Sequence, residues 1–219
     1  MPFLARTYNV LGLQVPEILI TTWAIMALLV AASHMVVRAM LSRPPEEPPA
    51  GKRAVPELVY EAVQWLVDGA MGKEHRGFIP YIGTLALFLI VANLTGLVGV
   101  TPPTADLNTT LALATISFVN IQYYSIRRRG LAAHLKGFLE PVAFLVPLNV
   151  ISEIALPFSM AFRLFGNMLG GAIIMGLLYS VLPVAVPVLP HLYFDIFAGI
   201  VQTFIFVMLT MTFIARAID

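Results

Sequence analysis

From Pro141 to Ala215 the chain carries three formal charges, Glu153, Arg163 and Asp195, in an otherwise apolar run with a proline cluster at Pro183, Pro187 and Pro190. A water-soluble domain cannot hide a stretch of this kind, because its surface-to-volume ratio leaves too much apolar area facing water. The rest of the chain is of the same character. Of 219 residues, 59% are hydrophobic and 11% charged, against about 45–50% and about 25% in soluble domains. The expected fold class is an all-α integral membrane protein, since helices satisfy their own backbone groups in lipid. The chain has no Cys, which excludes disulfides, thiolate nucleophiles and thiolate metal sites. The net charge of +1 decides little; the placement of the charges matters more.

A helix needs about 20 apolar residues to cross the hydrocarbon core. The first candidate runs from Ile18 to Met40, too long and too polar at its start for a cleavable signal peptide. The Pro- and charge-rich segment from Arg43 to Arg53, which includes Pro44–Pro49, reads as a solvated linker. From Pro56 to Met71, Leu58, Val59, Ala62, Val63, Leu66, Val67 and Ala70 recur at helical spacing with Glu57, Glu61, Gln64 and Asp68 between them. That pattern predicts an amphipathic helix lying at the membrane interface or packed on a partner. Further spans are expected at Phe78–Val100 and Leu107–Ile126, joined by the turn Thr101–Asp106, with an interfacial segment from Gly130 to Pro141. The long apolar stretch divides into a helix from Pro147 to Leu182 and a last helix from His191 to Ala217. The first of these would be about 54 Å long, so it must tilt or bend in a bilayer. About five membrane helices plus interfacial amphipathic helices result.

The basic residues suggest an orientation. Arg38, Arg43, Lys52, Arg53, Lys73 and Arg76 lie between the first two spans, Arg127–Arg129 close the third, and Arg216 lies at the C-terminus. The turns at Thr101–Asp106 and near Pro187 carry no Lys or Arg. Cytoplasmic loops are enriched in these residues, which places the N-terminus outside and the C-terminus in the cytoplasm, with Arg6 as a minor exception.

Arg163 is the most demanding residue. A charge at that depth costs at least about 2.5–3.5 kcal/mol on insertion scales, and Arg does not shed its proton. It therefore needs an ion-pair partner, water, a route to the headgroups or a function. On a helix, Ser159, Gly166, Asn167 and Gly170 lie within about 60° of it. That face is small or polar, which lets another helix approach closely. Asp195 shares a helical face with His191, Gly199 and Gln202. It can exchange a proton or hold a hydrated cation there, or simply sit solvated near the proline-rich turn. Asn149 and Glu153 are four residues apart on the long helix, and Glu153 precedes Arg163 by ten residues, about 15 Å along the axis. Glu153 lines a second polar pocket or pairs with Lys136 or Arg127–Arg129. Two polar pockets on opposite sides of a central Arg would make two offset half-channels separated by a fixed charge. His34, Asn93 and Thr95 read as packing or intra-bundle polar residues. No metal-ligand spacing, cofactor fingerprint or nucleophile arrangement is found, and nothing supports nucleic-acid binding.

The run Phe158-Ser159-Met160-Ala161-Phe162-Arg163-Leu164-Phe165-Gly166-Asn167-Met168 resembles subunit a of F-type ATP synthases, whose most specific signature is Arg-Leu-Phe-Gly-Asn-Met. Pro147–Glu153 and Gln202-Thr203-Phe204-Ile205-Phe206 are similar to the flanking stretch and the last helix of that family. The likeness covers the chain well from Phe138 onward and more loosely from Phe78 to Asn120, including Asn93-Leu94-Thr95-Gly96. The N-terminal third agrees mainly in topology.

The resemblance implies a stator subunit beside a rotating ring of c subunits, each with a membrane carboxylate. Protons or sodium ions enter by one half-channel, neutralise that carboxylate, travel with the ring and leave by the other. Arg163 matches the essential Arg, Asp195, Gln202, His191, Glu153, Asn149 and Asn167 the half-channels, and Ser159, Gly166 and Gly170 the face of close approach to the ring. Further implied partners are b-type peripheral stalk subunits, the F1 sector and membrane lipid, in an energy-transducing membrane such as the bacterial plasma membrane. The last two helices would tilt strongly against the ring. No cofactor or metal is implied, and the subunit alone is no enzyme. The family often has an ionisable residue at the position of Ala172; here Asp195 is the candidate channel acid. The chain then divides into an N-terminal membrane helix with its linker (1–55), an amphipathic helix with two membrane helices (56–136) and the ion-channel helices (137–219). A secondary transporter with an Arg163/Asp195 substrate site, or a non-transporting scaffold, are the alternatives from other classes; the first lacks the internal repeat expected of such folds.

Overall fold

The computed structural model describes residues 7–10, 13–41, 54–139, 143–181, 190 and 192–218. The linker at Pro44–Pro49, His191 and most of the proline-rich turn lie outside them. Strands β1 (Thr7–Val10) and β2 (Leu13–Pro16) pair antiparallel, with Thr7 opposite Pro16 and Val10 opposite Leu13. This hairpin was not expected from the sequence; its alternation covers only four residues per strand. The other secondary-structure elements among the described residues are helical. Helix α1 (Glu17–Leu41) and α2 (Ala54–Ala70) are followed by a 3₁₀ segment (Lys73–Phe78) that leads into α3 (Ile79–Leu94). A second 3₁₀ turn (Thr95–Val98) and a third (Pro103–Ala105) connect to α4 (Leu107–Arg129). Then come α5 (Leu131–Gly137), a 3₁₀ turn (Ala143–Leu145), α6 (Val146–Val181), a π-helical stretch (Leu192–Ala198) and α7 (Gly199–Ile218).

The helix ends follow local chemistry. Pro80 stands in the first turn of α3, where its missing N–H has no helical partner to lose. Asp106 caps α4, its carboxylate accepting from the Thr109 backbone N–H at 3.0 Å and from the Thr109 hydroxyl at 3.2 Å. Gly130 ends α4 at φ +81°, outside the reach of most side chains, with its N–H on the Ile126 carbonyl at 2.9 Å.

Among the described residues, four helical segments are long and apolar enough to cross a membrane: Glu17–Arg38, Lys73–Val98, Val146–Ser180 and Leu192–Ile218. Helix α4, the third span expected from the sequence, has 23 residues, about 35 Å. It has the length but is more polar, because Asn108, Thr109, Thr110, Thr115, Ser117, Asn120, Gln122 and Ser125 lie along it. It packs chiefly on α6 and α7, and Thr110, Ser117 and Ser125 are buried there.

One core joins helices α2, α3, α4, α6 and α7. Val67 of α2, Ile82 and Leu89 of α3, Ala114 and Ile121 of α4, Ala161 and Leu164 of α6, and Phe206, Val207, Met211 and Ile214 of α7 are buried together. Apolar burial gives little drive between helices in lipid, so close packing and interhelical hydrogen bonds must hold such a bundle. The polar contacts supply this. Tyr81 Oη lies 3.0 Å from Ser117 Oγ between α3 and α4. At the level of the Thr101–Asp106 turn, Asn93 donates from Nδ2 to the Gly199 carbonyl at 3.0 Å and to Thr203 Oγ1 at 3.1 Å, and its Oδ1 accepts from Thr104 Oγ1 at 2.7 Å. All four residues are buried, so this knot fixes α3, the third 3₁₀ turn and α7 at one level. Bonds of this kind contribute roughly 0.6–1.7 kcal/mol each in membranes.

Helix α2 buries Val63 and Val67 and leaves Leu58, Tyr60 and Trp65 exposed, Trp65 to 75%. It therefore presents an apolar outer surface as well as a buried one, as an interfacial helix would.

Candidate functional site

Helix α6 has two unlike faces. Met160, Ala161, Leu164, Met168 and Met175 are buried in the bundle. Ser159, Phe162, Arg163 and Gly166 are exposed on the opposite side, with Asn167 and Gly170 half-buried beside them. A Cβ added at Gly166 or Gly170 would meet nothing within 4 Å. Arg163 thus projects from a face that stays open within this chain. Among the described residues no hydrogen bond or ion pair to its guanidinium is found. The 36 residues of α6 also include Pro157. Its ring nitrogen cannot donate, so the Glu153 carbonyl lacks its usual i+4 donor.

Asp195 is half-buried at the turn end of the bundle. Its carboxylate packs onto Gly96, the second residue of the 3₁₀ turn after α3. A Cβ at Gly96 would stand 3.0 Å from Asp195 Oδ1 and 3.4 Å from Oδ2. The stretch around Asp195 is wound as a π-helix, whereas the sequence predicted a regular α-helix from His191. The wider π turn changes the spacing by which Asp195, Gly199 and Gln202 were to share one face. It seats Phe194 at 3.4–3.6 Å from a Cβ at Gly171 on α6, and Asp195 on Gly96 of α3. Two close helix contacts thus fall within the π-helical stretch. Gln202 is 6% exposed, and no partner for its Nε2 is found among the described residues. His191 lies outside them.

Glu153 is half-buried toward the other end, where α4 closes on Arg127–Arg129. The expected alternatives for it were a pocket position or a pair with Lys136 or Arg127–Arg129. In the structure Gln122 of α4 donates from Nε2 to Glu153 Oε1. Asn149, one turn earlier on α6, donates from Nδ2 to the Phe138 carbonyl at 2.9 Å. Close by, Ser125 Oγ and His134 Nδ1 are 2.9 Å apart, and Arg129 donates to the Arg216 carbonyl at 2.8 Å.

Gln122 and Gly96 were missed by sequence reasoning. Gln122 had a signal, as an amide within an expected span. Gly96 stood only in the stretch Asn93-Leu94-Thr95-Gly96 of looser likeness, and nothing local pointed to its contact, since its role is the absence of a side chain. Among the described residues, no three His, Asp or Glu side chains converge as metal ligands.

A polytopic helical membrane protein with carboxylates toward both ends and an arginine on an open face between them belongs to the class that moves ions, since a scaffold has no use for charges so costly to bury. Comparison with known proteins is specific. Residues 19–215 match the sequence profile of the family described as ATP synthase A chain. The chain is 38% identical over 200 residues to ATP synthase subunit a 2 of a Bradyrhizobium species, covering 91% of this chain and 87% of that one. It is 38% identical over 226 residues to the sodium ion specific ATP synthase subunit a of Propionigenium modestum, covering 96% and 76%. Against ATP synthase subunit a of Moorella thermoacetica it is 35% identical over 198 residues, covering 90% and 88%. The chain belongs to the ATP synthase subunit a family, the ion-translocating stator subunit of the membrane sector. These comparisons lend no support to a secondary transporter.

Proposed function

We propose that Arg163 is the fixed stator charge of this subunit, facing a ring of c subunits across the open side of α6. The observation that carries this is the pairing of an exposed guanidinium with an unobstructed face at Gly166 and Gly170. A passing ring carboxylate is attracted to the charge and gives up its ion there. The same charge repels a cation that would otherwise cross directly between the two access paths. Ser159, Gly166 and Gly170 keep the contact close, and Asn167 sits beside it.

Asp195, with Gln202 and His191, forms the half-channel on the outer side, and Glu153 with Asn149 forms the one on the cytoplasmic side. Residues 137–219 carry this work. The N-terminal helix with its linker (1–55) and the segment 56–136 support it and meet b-type stalk subunits and lipid; the F1 sector is reached through the complex. The distribution of Lys and Arg supports an outer N-terminus and a cytoplasmic C-terminus in an energy-transducing membrane of bacterial plasma-membrane type. Close passage of a curved ring would favour a steep tilt of α6 and α7.

The test is ATP-driven ion uptake into inverted vesicles carrying the assembled complex, with Arg163→Ala beside wild type and with proton and sodium uptake followed in parallel. Loss of uptake at equal assembly is expected, and the ion taken up by wild type identifies the cargo. Undiminished uptake without Arg163 would overturn the proposal.

A further inference from the structure

The cytoplasmic-side carboxylate is held from a second helix. Gln122 lies on α4, between Asn120 and the Arg127–Arg129 terminus, and its side-chain amide donates to Glu153 Oε1 on α6. The contact spans 31 residues of sequence and joins the two helices that pack most extensively on each other. Both side chains are half-buried, and no partner for Glu153 Oε2 is found among the described residues. Pro157 leaves the Glu153 carbonyl without its helical donor, which adds an acceptor at the same level and favours a local water.

We infer that Gln122 is a positioning residue for ion exchange at Glu153: it fixes the carboxylate through Oε1 and leaves Oε2 as the atom that meets the travelling ion. This rests on the half-channel role proposed for Glu153. An amide suits the task chemically. It donates to Oε1 whether Glu153 is a carboxylate or a carboxylic acid. A proton arriving from water binds Oε2 and later returns to water, while Gln122 gains and loses none. A Lys or Arg in the same place would compete with the travelling cation. An apolar residue would leave the carboxylate free to swing toward the basic cluster at Arg127–Arg129. The position also sets distance: the ion is exchanged on α6 about 15 Å below Arg163.

The test uses the assembled complex in inverted vesicles, with subunit levels checked by immunoblot and ATP-driven proton and sodium uptake read together. Glu153→Gln, Gln122→Met and the exchanged pair Gln122→Glu with Glu153→Gln are compared with wild type. Glu153→Gln should lower the uptake rate about tenfold or more. Gln122→Met, close in shape but unable to donate, should lower it about three- to tenfold. The exchanged pair again places one amide against one carboxylate, and should recover to within about twofold of wild type.

A purely structural role would not predict that recovery from a second change. If Glu153→Gln has normal uptake, the half-channel reading itself falls. If Glu153→Gln is impaired while Gln122→Met is normal, the inference falls and Glu153 keeps its role. If Gln122→Met does not assemble, the exchanged pair decides: an assembled, active complex supports positioning. An assembled but inactive one overturns it. So does failure of both to assemble, which would assign Gln122 to folding.

Discussion

Asp195 and Glu153 differ in the contacts seen around them. Asp195 lies on a π-helical turn, and the missing side chain of Gly96 makes room for its carboxylate. Beneath it the Asn93 knot fixes α3 against α7. Glu153 is placed by a side chain, the amide of Gln122 reaching across from α4. A backbone device is stiff and tolerates little added volume, whereas a side-chain contact can be rebuilt from either helix. The difference therefore predicts that the turn end should be sensitive to size and to loss of its knot, and the basic end to chemistry.

The largest effect is expected at the knot. Asn93→Leu removes three hydrogen bonds and strands the Thr104 hydroxyl in an apolar setting. A cost of about 2–4 kcal/mol follows from the values of such bonds and of unsatisfied buried groups. The fraction of subunit retained in the solubilised complex on heating should fall sharply. An unchanged heating profile would mean that Asn93 does not hold the turn end together.

Asp195→Asn comes next. It keeps the shape of the site and removes the ionisable group. Uptake should slow by about tenfold or more, equivalent to about 1.4 kcal/mol in the barrier, while assembly stays near wild type. Normal uptake would remove Asp195 from the outer path. Gly96→Ala is smaller and tests the device itself. The new methyl would stand 3.0 Å from Oδ1, so the carboxylate must give way by a few tenths of an ångström. A loss of roughly threefold is expected for a barrier change of about 0.6 kcal/mol. In the Asp195→Asn background the same change should add little further loss, since the ionisable group it displaces is already gone. Full additivity would show that Gly96 acts elsewhere.

The helices, their order and the central Arg163 were legible in the sequence because hydrophobic runs, prolines and charges are local signals. The expected spans at Phe78–Val100 and Pro147–Leu182 coincide closely with the 3₁₀–α3–3₁₀ unit and with α6. The placement of Asn149, Glu153 and Asp195 on their helices was also readable. Their partners were not. Gln122 meets Glu153 only through the packing of α4 on α6, and Gly96 meets Asp195 only through the packing of α3 on the final helical segment. The π winding was not readable either: it coincides with close contacts at Gly96 and Gly171, which no spacing rule within residues 192–198 contains. The hairpin at Thr7–Val10 and Leu13–Pro16 is too short to stand out by alternation.

The smallest effect is expected where a carboxylate is held by a side chain in the open, which makes the exposed counterpart of the Gln122 contact. Asp68, near the end of α2, accepts from Arg76 Nε at 2.9 Å and from Nη2 at 2.6 Å, clasping the 3₁₀ segment that leads into α3. The hydrogen bond from Arg76, then its charge, hold the Asp68 carboxyl below the ordinary carboxylate range. A group whose pKa is lowered on folding contributes stability above its unfolded value and loses it as pH falls through the folded value. Asp68→Asn should therefore retain slightly less subunit on heating at pH 7 than wild type. The gap should close as the pH drops below about 4, and narrow with added salt because solvent ions reach the pair. The Glu153 contact, half-buried between α4 and α6 with no exposed partner such as Arg76, should show a smaller salt dependence in the uptake ratio of Gln122→Met to wild type. Equal salt sensitivity at both places would mean that the carboxylate on α6 is as open to solvent as the one on α2, and that the contrast between a clasp in water and a clasp between helices does not hold.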